Sequence, residues 1–92
     1  MVIIEVKSNK IEIKLKKHLI VLEFDEQIEL FHLLINKIKK KVEIKELEEN
    51  KFSLELKEPY LTFIYRWLKG IETGEVSKTD IRKSKLLPVI MS

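Results

Sequence analysis

A chain of 92 residues and 11.0 kDa has the size of one domain, which excludes a multidomain enzyme. Hydrophobic residues make up 45% and charged residues 36%, with two Gly and two Pro, so a disordered or collagen-like polymer is excluded and a packed core is predicted. The chain has no Cys, which excludes a disulfide framework, a thiolate zinc site and a cysteine nucleophile, and its net charge of +3 is too small to define a nucleic-acid binder.

The position of that excess is more informative than its size. Met1 to Val76 holds 14 basic and 14 acidic residues, whereas the remaining segment carries Lys78, Arg82, Lys83 and Lys85 against Asp80 alone. Lys, Glu, Ile and Leu dominate, Ala is absent and Gln27 is the one glutamine, a usage that points to a thermophilic source. No apolar run approaches the roughly 18–20 residues that span a bilayer, and the Met-Val-Ile-Ile-Glu start does not read as a secretory leader. The expectation is a soluble, cytoplasmic protein without a membrane role.

Val2 to Lys7 and Lys10 to Lys16 read as a hairpin, the second arm alternating Ile11, Ile13 and Leu15 with Glu12, Lys14 and Lys16. His18 to Phe24 is apolar at four successive positions, Leu19 to Leu22, which predicts a central strand covered on both faces. Asp25 is placed to cap a helix on which Ile28, Phe31, Leu34, Ile35 and Ile38 form one stripe, ending near Lys40 among Lys37, Lys39 and Lys41. Val42 to Leu47 and Phe52 to Leu56 read as two strands across a polar turn, with a bulge where the alternation slips between Ile44 and Leu47.

Pro59 then opens a second helix that is predicted to stop at Gly70. It carries an aliphatic stripe of Leu61, Ile64, Leu68 and Ile71 beside an aromatic stripe of Tyr60, Phe63 and Trp67. Ser77 or Thr79 is placed to cap a short basic turn or helix reaching Lys85, before Pro88 interrupts an apolar end. The fold class is therefore α+β, an antiparallel sheet built from an N-terminal hairpin plus β-α-β-β-α, with two helices on one face. Residues 1–71 are read as the domain and 72–92 as a basic, apolar tail.

Chemistry-bearing constellations are sparse. His18 and His32 have no metal-ligand spacing around them, the serines sit in no nucleophile-elbow setting, and Gly70 and Gly74 are too few for a phosphate cradle. No catalytic site, metal or cofactor is predicted. Two surface features remain. Lys37, Lys39, Lys40 and Lys41 together with Lys78, Arg82, Lys83 and Lys85 would track a phosphate backbone if they converged, although neither cluster interleaves with stacking aromatics in the sequence. The second helix carries more aromatic surface than one core stripe needs, so Tyr60, Phe63, Tyr65 and Trp67, with Arg66, are the candidate partner interface, Trp67 and Arg66 being its anchor and core packing the alternative for Trp67.

The run Ile64-Tyr65-Arg66-Trp67-Leu68-Lys69, at the end of a strand, acid-capped helix, hairpin and final helix over residues 18 to 70, resembles the small dimer-forming subunits of the KEOPS complex. Their last helix typically bears a Tyr-Leu-Arg-Trp-Ile-Lys-like run. The resemblance implies a non-catalytic accessory subunit supporting threonylcarbamoyladenosine modification of tRNA, with other KEOPS subunits and tRNA as partners in a homo- or heterodimer. Tyr65, Arg66, Trp67 and Lys69 match the run and are implied in partner contact or local packing. The additional hairpin, the Pro59 opening and the tail depart from the family and fit a diverged paralogue that pairs with the standard small subunit as a fifth component. The alternative is a small protein-interaction module of a thermophile or its virus that binds another protein without nucleic acid.

Overall fold

The computed structural model describes residues 1–39 and 42–83. In chain order these form β1 (Val2–Val6), β2 (Ile11–Leu15), β3 (His18–Leu22), α1 (Asp25–Ile38), β4 (Ile44–Glu48), β5 (Lys51–Leu54), α2 (Glu58–Thr73) and α3 (Lys78–Lys83). All strand pairings are antiparallel, and the spatial order is β3-β2-β1-β5-β4. The fold is α+β, as the hydrophobic periodicity predicts, with the helices packed on the sheet.

Alternation decides which face is buried. Val2 and Ile4 of β1, Ile11, Ile13 and Leu15 of β2, Ile20 and Leu22 of β3 and Leu54 of β5 lie in register on one side and are buried. Leu30, Phe31, Leu34 and Ile38 of α1 and Leu61, Ile64, Leu68 and Ile71 of α2 close over them. The opposite face carries Ile3, Glu5, Glu12, Lys14 and Lys51, where Glu12 is paired with Lys7 at 3.0 Å and Lys10 at 3.5 Å. Those ammonium groups, the Lys7 hydrogen bond first, hold the Glu12 carboxyl below its ordinary range.

Several expectations change. The His18 to Phe24 segment is an edge strand, not a central one, and Leu19 is 52% exposed; β1 takes the centre because the hairpin inserts between β3 and the β4–β5 pair. Asp25 is the first residue of α1 instead of its cap. The N-cap is Phe24, whose side chain cannot accept a hydrogen bond, and Gln27 reaches back so that its Oε1 accepts from the N–H groups of Glu23 and Phe24, both at 3.0 Å. The bulge in β4 is present, between Glu46 and Glu48.

Helix α2 runs past Gly70 to a left-handed cap at Gly74, φ 85°. Gly70 is needed for a different reason. Val76 folds back against it so closely that an added Cβ would overlap the Val76 Cγ2 methyl. The residue 71/72 boundary drawn from sequence falls inside α2, and packing continues into α3, whose Ile81 is 1% exposed.

Candidate functional site

The last described helix, α3, builds an open cleft against α2. Ser77 and Asp80 cap α3 reciprocally: the Asp80 N–H donates to Ser77 Oγ at 3.1 Å and the Ser77 N–H donates to Asp80 Oδ2 at 2.8 Å. That backbone N–H, with the Ser77 hydroxyl, holds the Asp80 carboxyl below its ordinary range. Two contacts then fasten α3 to α1. Lys37 Nζ donates to the carbonyls of Ile81 and Arg82, satisfying acceptors at the helix C-terminus, and Lys78 pairs with Glu29. Ile81 supplies the apolar contact between them.

Fastened this way, α3 lies beside the exposed shoulder of α2. Arg66 and Trp67 from α2, Val76 from the connecting turn, and Asp80 and Lys83 from α3 line an open cleft of about 370 Å³. Trp67 is half-buried and packs against the core cluster, while Arg66 and Lys83 are exposed. The two residue sets nominated separately from the sequence therefore meet here, one contributing Arg66 and Trp67 and the other Lys83. Sequence reasoning missed Val76 and Asp80; the Ser77-x-x-Asp80 spacing was the available signal that α3 would form and place them.

The other nominated residues are dispersed. Tyr60 and Phe63 are half-buried on α2, Phe63 against the core. Tyr65 points to the sheet and stacks on His18, ring centroids 4.3 Å apart, at a hollow of about 240 Å³ lined also by Leu15, Lys16, Leu61 and Thr62. Lys69 pairs with Glu72 at 2.9 Å, and that carboxylate raises the Lys69 pKa. Among the cations, Lys37 and Lys78 serve the α1–α3 junction, whereas Lys39, Arg82 and Lys83 are exposed. Lys40, Lys41 and Lys85 lie outside the described residues.

His32 meets Phe31 edge-on at 6.0 Å. Among the described residues no group of three or more His, Asp or Glu side chains could hold a metal ion, and no helix is long and apolar enough to cross a membrane. Comparison of the chain with protein families, with curated proteins and with solved structures gives no match.

Proposed function

We propose that this chain is a non-catalytic accessory subunit of a KEOPS-type assembly, supporting tRNA modification by binding a companion subunit and RNA. The observation that carries the reading is the convergence of Arg66 and Trp67, from the run that resembles the KEOPS small subunits, with Lys83 in a single open cleft. The companion contact is assigned to the aromatic shoulder of α2 around Tyr60 and Phe63, since neither sheet edge invites pairing: β3 has side chains bonded along it and β4 is charged and bulged. The central position of the N-terminal hairpin also matters. Residues 18 to 70 do not form a contiguous sheet without it, so the resemblance rests on the helix run more than on a free-standing β-α-β-β-α unit.

The test is co-expression with the standard small KEOPS subunit from the same source, followed by affinity purification and light scattering. A one-to-one complex that Tyr60→Ala weakens is the expected result. Separate elution of two folded proteins would remove the KEOPS assignment. It would favour the second reading, a protein-interaction module that works without nucleic acid, which draws its support from the use of Lys37 and Lys78 inside the fold.

A further inference from the structure

The cleft between α2 and α3 joins an aromatic surface to a lining in which two cations, Arg66 and Lys83, outnumber the single carboxylate of Asp80. Trp67 is the single tryptophan of the chain. It rests against the core on one side and lines the cleft of about 370 Å³ on the other, a size at the lower end of the roughly 300–1,000 Å³ of small-ligand sites. Arg66 and Lys83 flank it, and neither side chain forms an ion pair or hydrogen bond with another described residue. The one acid in the lining, Asp80, has its Oδ2 engaged by the Ser77 N–H within the cap of α3.

We propose that this cleft binds single-stranded nucleic acid, one base lying against Trp67 and the adjacent phosphate held between Arg66 and Lys83. The proposal rests on the accessory-subunit reading and gives its RNA contact a place. Each group has a separate reason. An unpaired base offers a π-face, and indole is the side chain that covers most of it; a guanidinium matches phosphate oxygens in a two-point fork; the Lys83 ammonium adds a second, orientation-tolerant charge. A duplex keeps its base faces stacked internally and has none to offer. An acidic peptide supplies charge but no face. The sequence places Arg66 next to Trp67 but Lys83 16 positions away, and only the docking of α3 on α1 brings Lys83 to Trp67.

The experiment uses the full chain and the fluorescence of Trp67, titrated with a single-stranded oligoadenylate hexamer at several salt concentrations. Saturable quenching is expected, with log affinity falling linearly in log salt. Arg66→Gln and Lys83→Gln, both at exposed positions, should each flatten that slope by about 0.7, the increment for one single-strand phosphate contact. Trp67→Phe, followed by anisotropy of a labelled hexamer, should weaken binding about tenfold, and circular dichroism checks that the variant remains folded.

A ribo- and a deoxyribohexamer separate the two possible sources of the strand: tighter binding of the ribo form identifies RNA, and equal binding identifies a site indifferent to the sugar. No quenching and no anisotropy change would overturn the proposal. So would equal affinity for a duplex of the same sequence, equal quenching by hexaglutamate, or slopes unchanged in both charge variants. A complex with the small KEOPS subunit but no quenching removes this inference alone. Quenching without a complex removes the KEOPS assignment and leaves the cleft.

Discussion

The two edges of the sheet face the same hazard and meet it by different physics. An edge strand presents unpaired N–H and C=O groups that template association with another chain. On β3, which is apolar at Leu19 and Val21, the N–H of Val21 donates to Glu72 Oε2 at 2.9 Å, and one residue past the end of the strand the N–H of Glu23 donates to Gln27 Oε1. Gln27 Nε2 in turn donates to the Glu72 carbonyl at 3.0 Å, so one relay ties the edge strand to both long helices. On β4, Lys45, Glu46, Leu47 and Glu48 are all exposed and the pairing register shifts at a bulge. The first edge is closed by contact, the second by charge and distortion. Closure by contact is part of cooperative folding, because it requires residues 51 positions apart to meet; closure by charge is local and should be separable from stability.

The largest expected effect tests that difference in the packing beneath each edge. Leu22 of β3 is fully buried and Leu47 of β4 is 49% exposed. Leu22→Ala should cost about 2–5 kcal/mol, through lost transfer energy and a residual cavity, whereas Leu47→Ala should stay within about 0.5 kcal/mol. Urea denaturation of the two variants beside the parent chain measures both. Equal costs would mean that β4 is as integral to the fold as β3.

A smaller effect isolates the relay. Glu72→Ala removes the acceptor for Val21 and the partner of Lys69, and should cost about 1–2 kcal/mol, while Glu72→Gln keeps an acceptor oxygen and should recover most of it. The pH dependence has a definite sign. Burial pushes the Glu72 carboxyl up, but the Val21 N–H and the Lys69 ammonium together outweigh burial and leave it below its ordinary value of 4.5. The unfolded chain therefore takes up the proton first. The contribution is complete above the ordinary value and is lost as pH falls through the lowered one. Glu12, Glu29 and Asp80 are shifted the same way, so Glu72→Gln should flatten part of the acid limb of a stability–pH curve. A limb identical to that of the parent chain would show that the carboxylate does not hold the edge.

What the sequence revealed and concealed follows the same division. Local patterns were legible: the alternation in β2, the stripe on α1, the slip in β4 and a cap near Ser77 all act over a few residues, although the partner of that cap, Asp80, was missed. The placement of β3 was not, because four successive apolar residues fit a central strand and an edge whose N–H groups are bonded from elsewhere equally well. Gly70 and Gly74 look alike as helix stops. Only the fold-back of Val76 makes the first a packing requirement, and only the second takes a positive φ. Trp67 and Arg66 could be nominated from composition, but their meeting with Lys83 depends on Lys37 bonding to the carbonyls that end α3, a contact between residues 44 and 45 positions apart.

The smallest expected change in stability carries the sharpest test of the edge comparison. Replacing Glu46 and Glu48 together, as Glu46→Val with Glu48→Thr, raises β-propensity and removes two negative charges at exposed positions of a strand that reaches the core through Ile44, so the folding free energy should move by no more than about 0.5 kcal/mol per site. Association is where the effect should appear. With the charges gone, light scattering should show an apparent mass that rises with concentration relative to the parent chain, and added salt, which screens the charges of the parent, should do little more to the variant. Glu72→Ala should differ by losing stability and gaining association together, since its edge is opened by breaking a folded contact. If the β4 variant instead stays at the parent's mass over the same concentrations, charge is not the protecting device. The bulge between Glu46 and Glu48, which spoils the register any incoming strand would need, must then close that edge by itself.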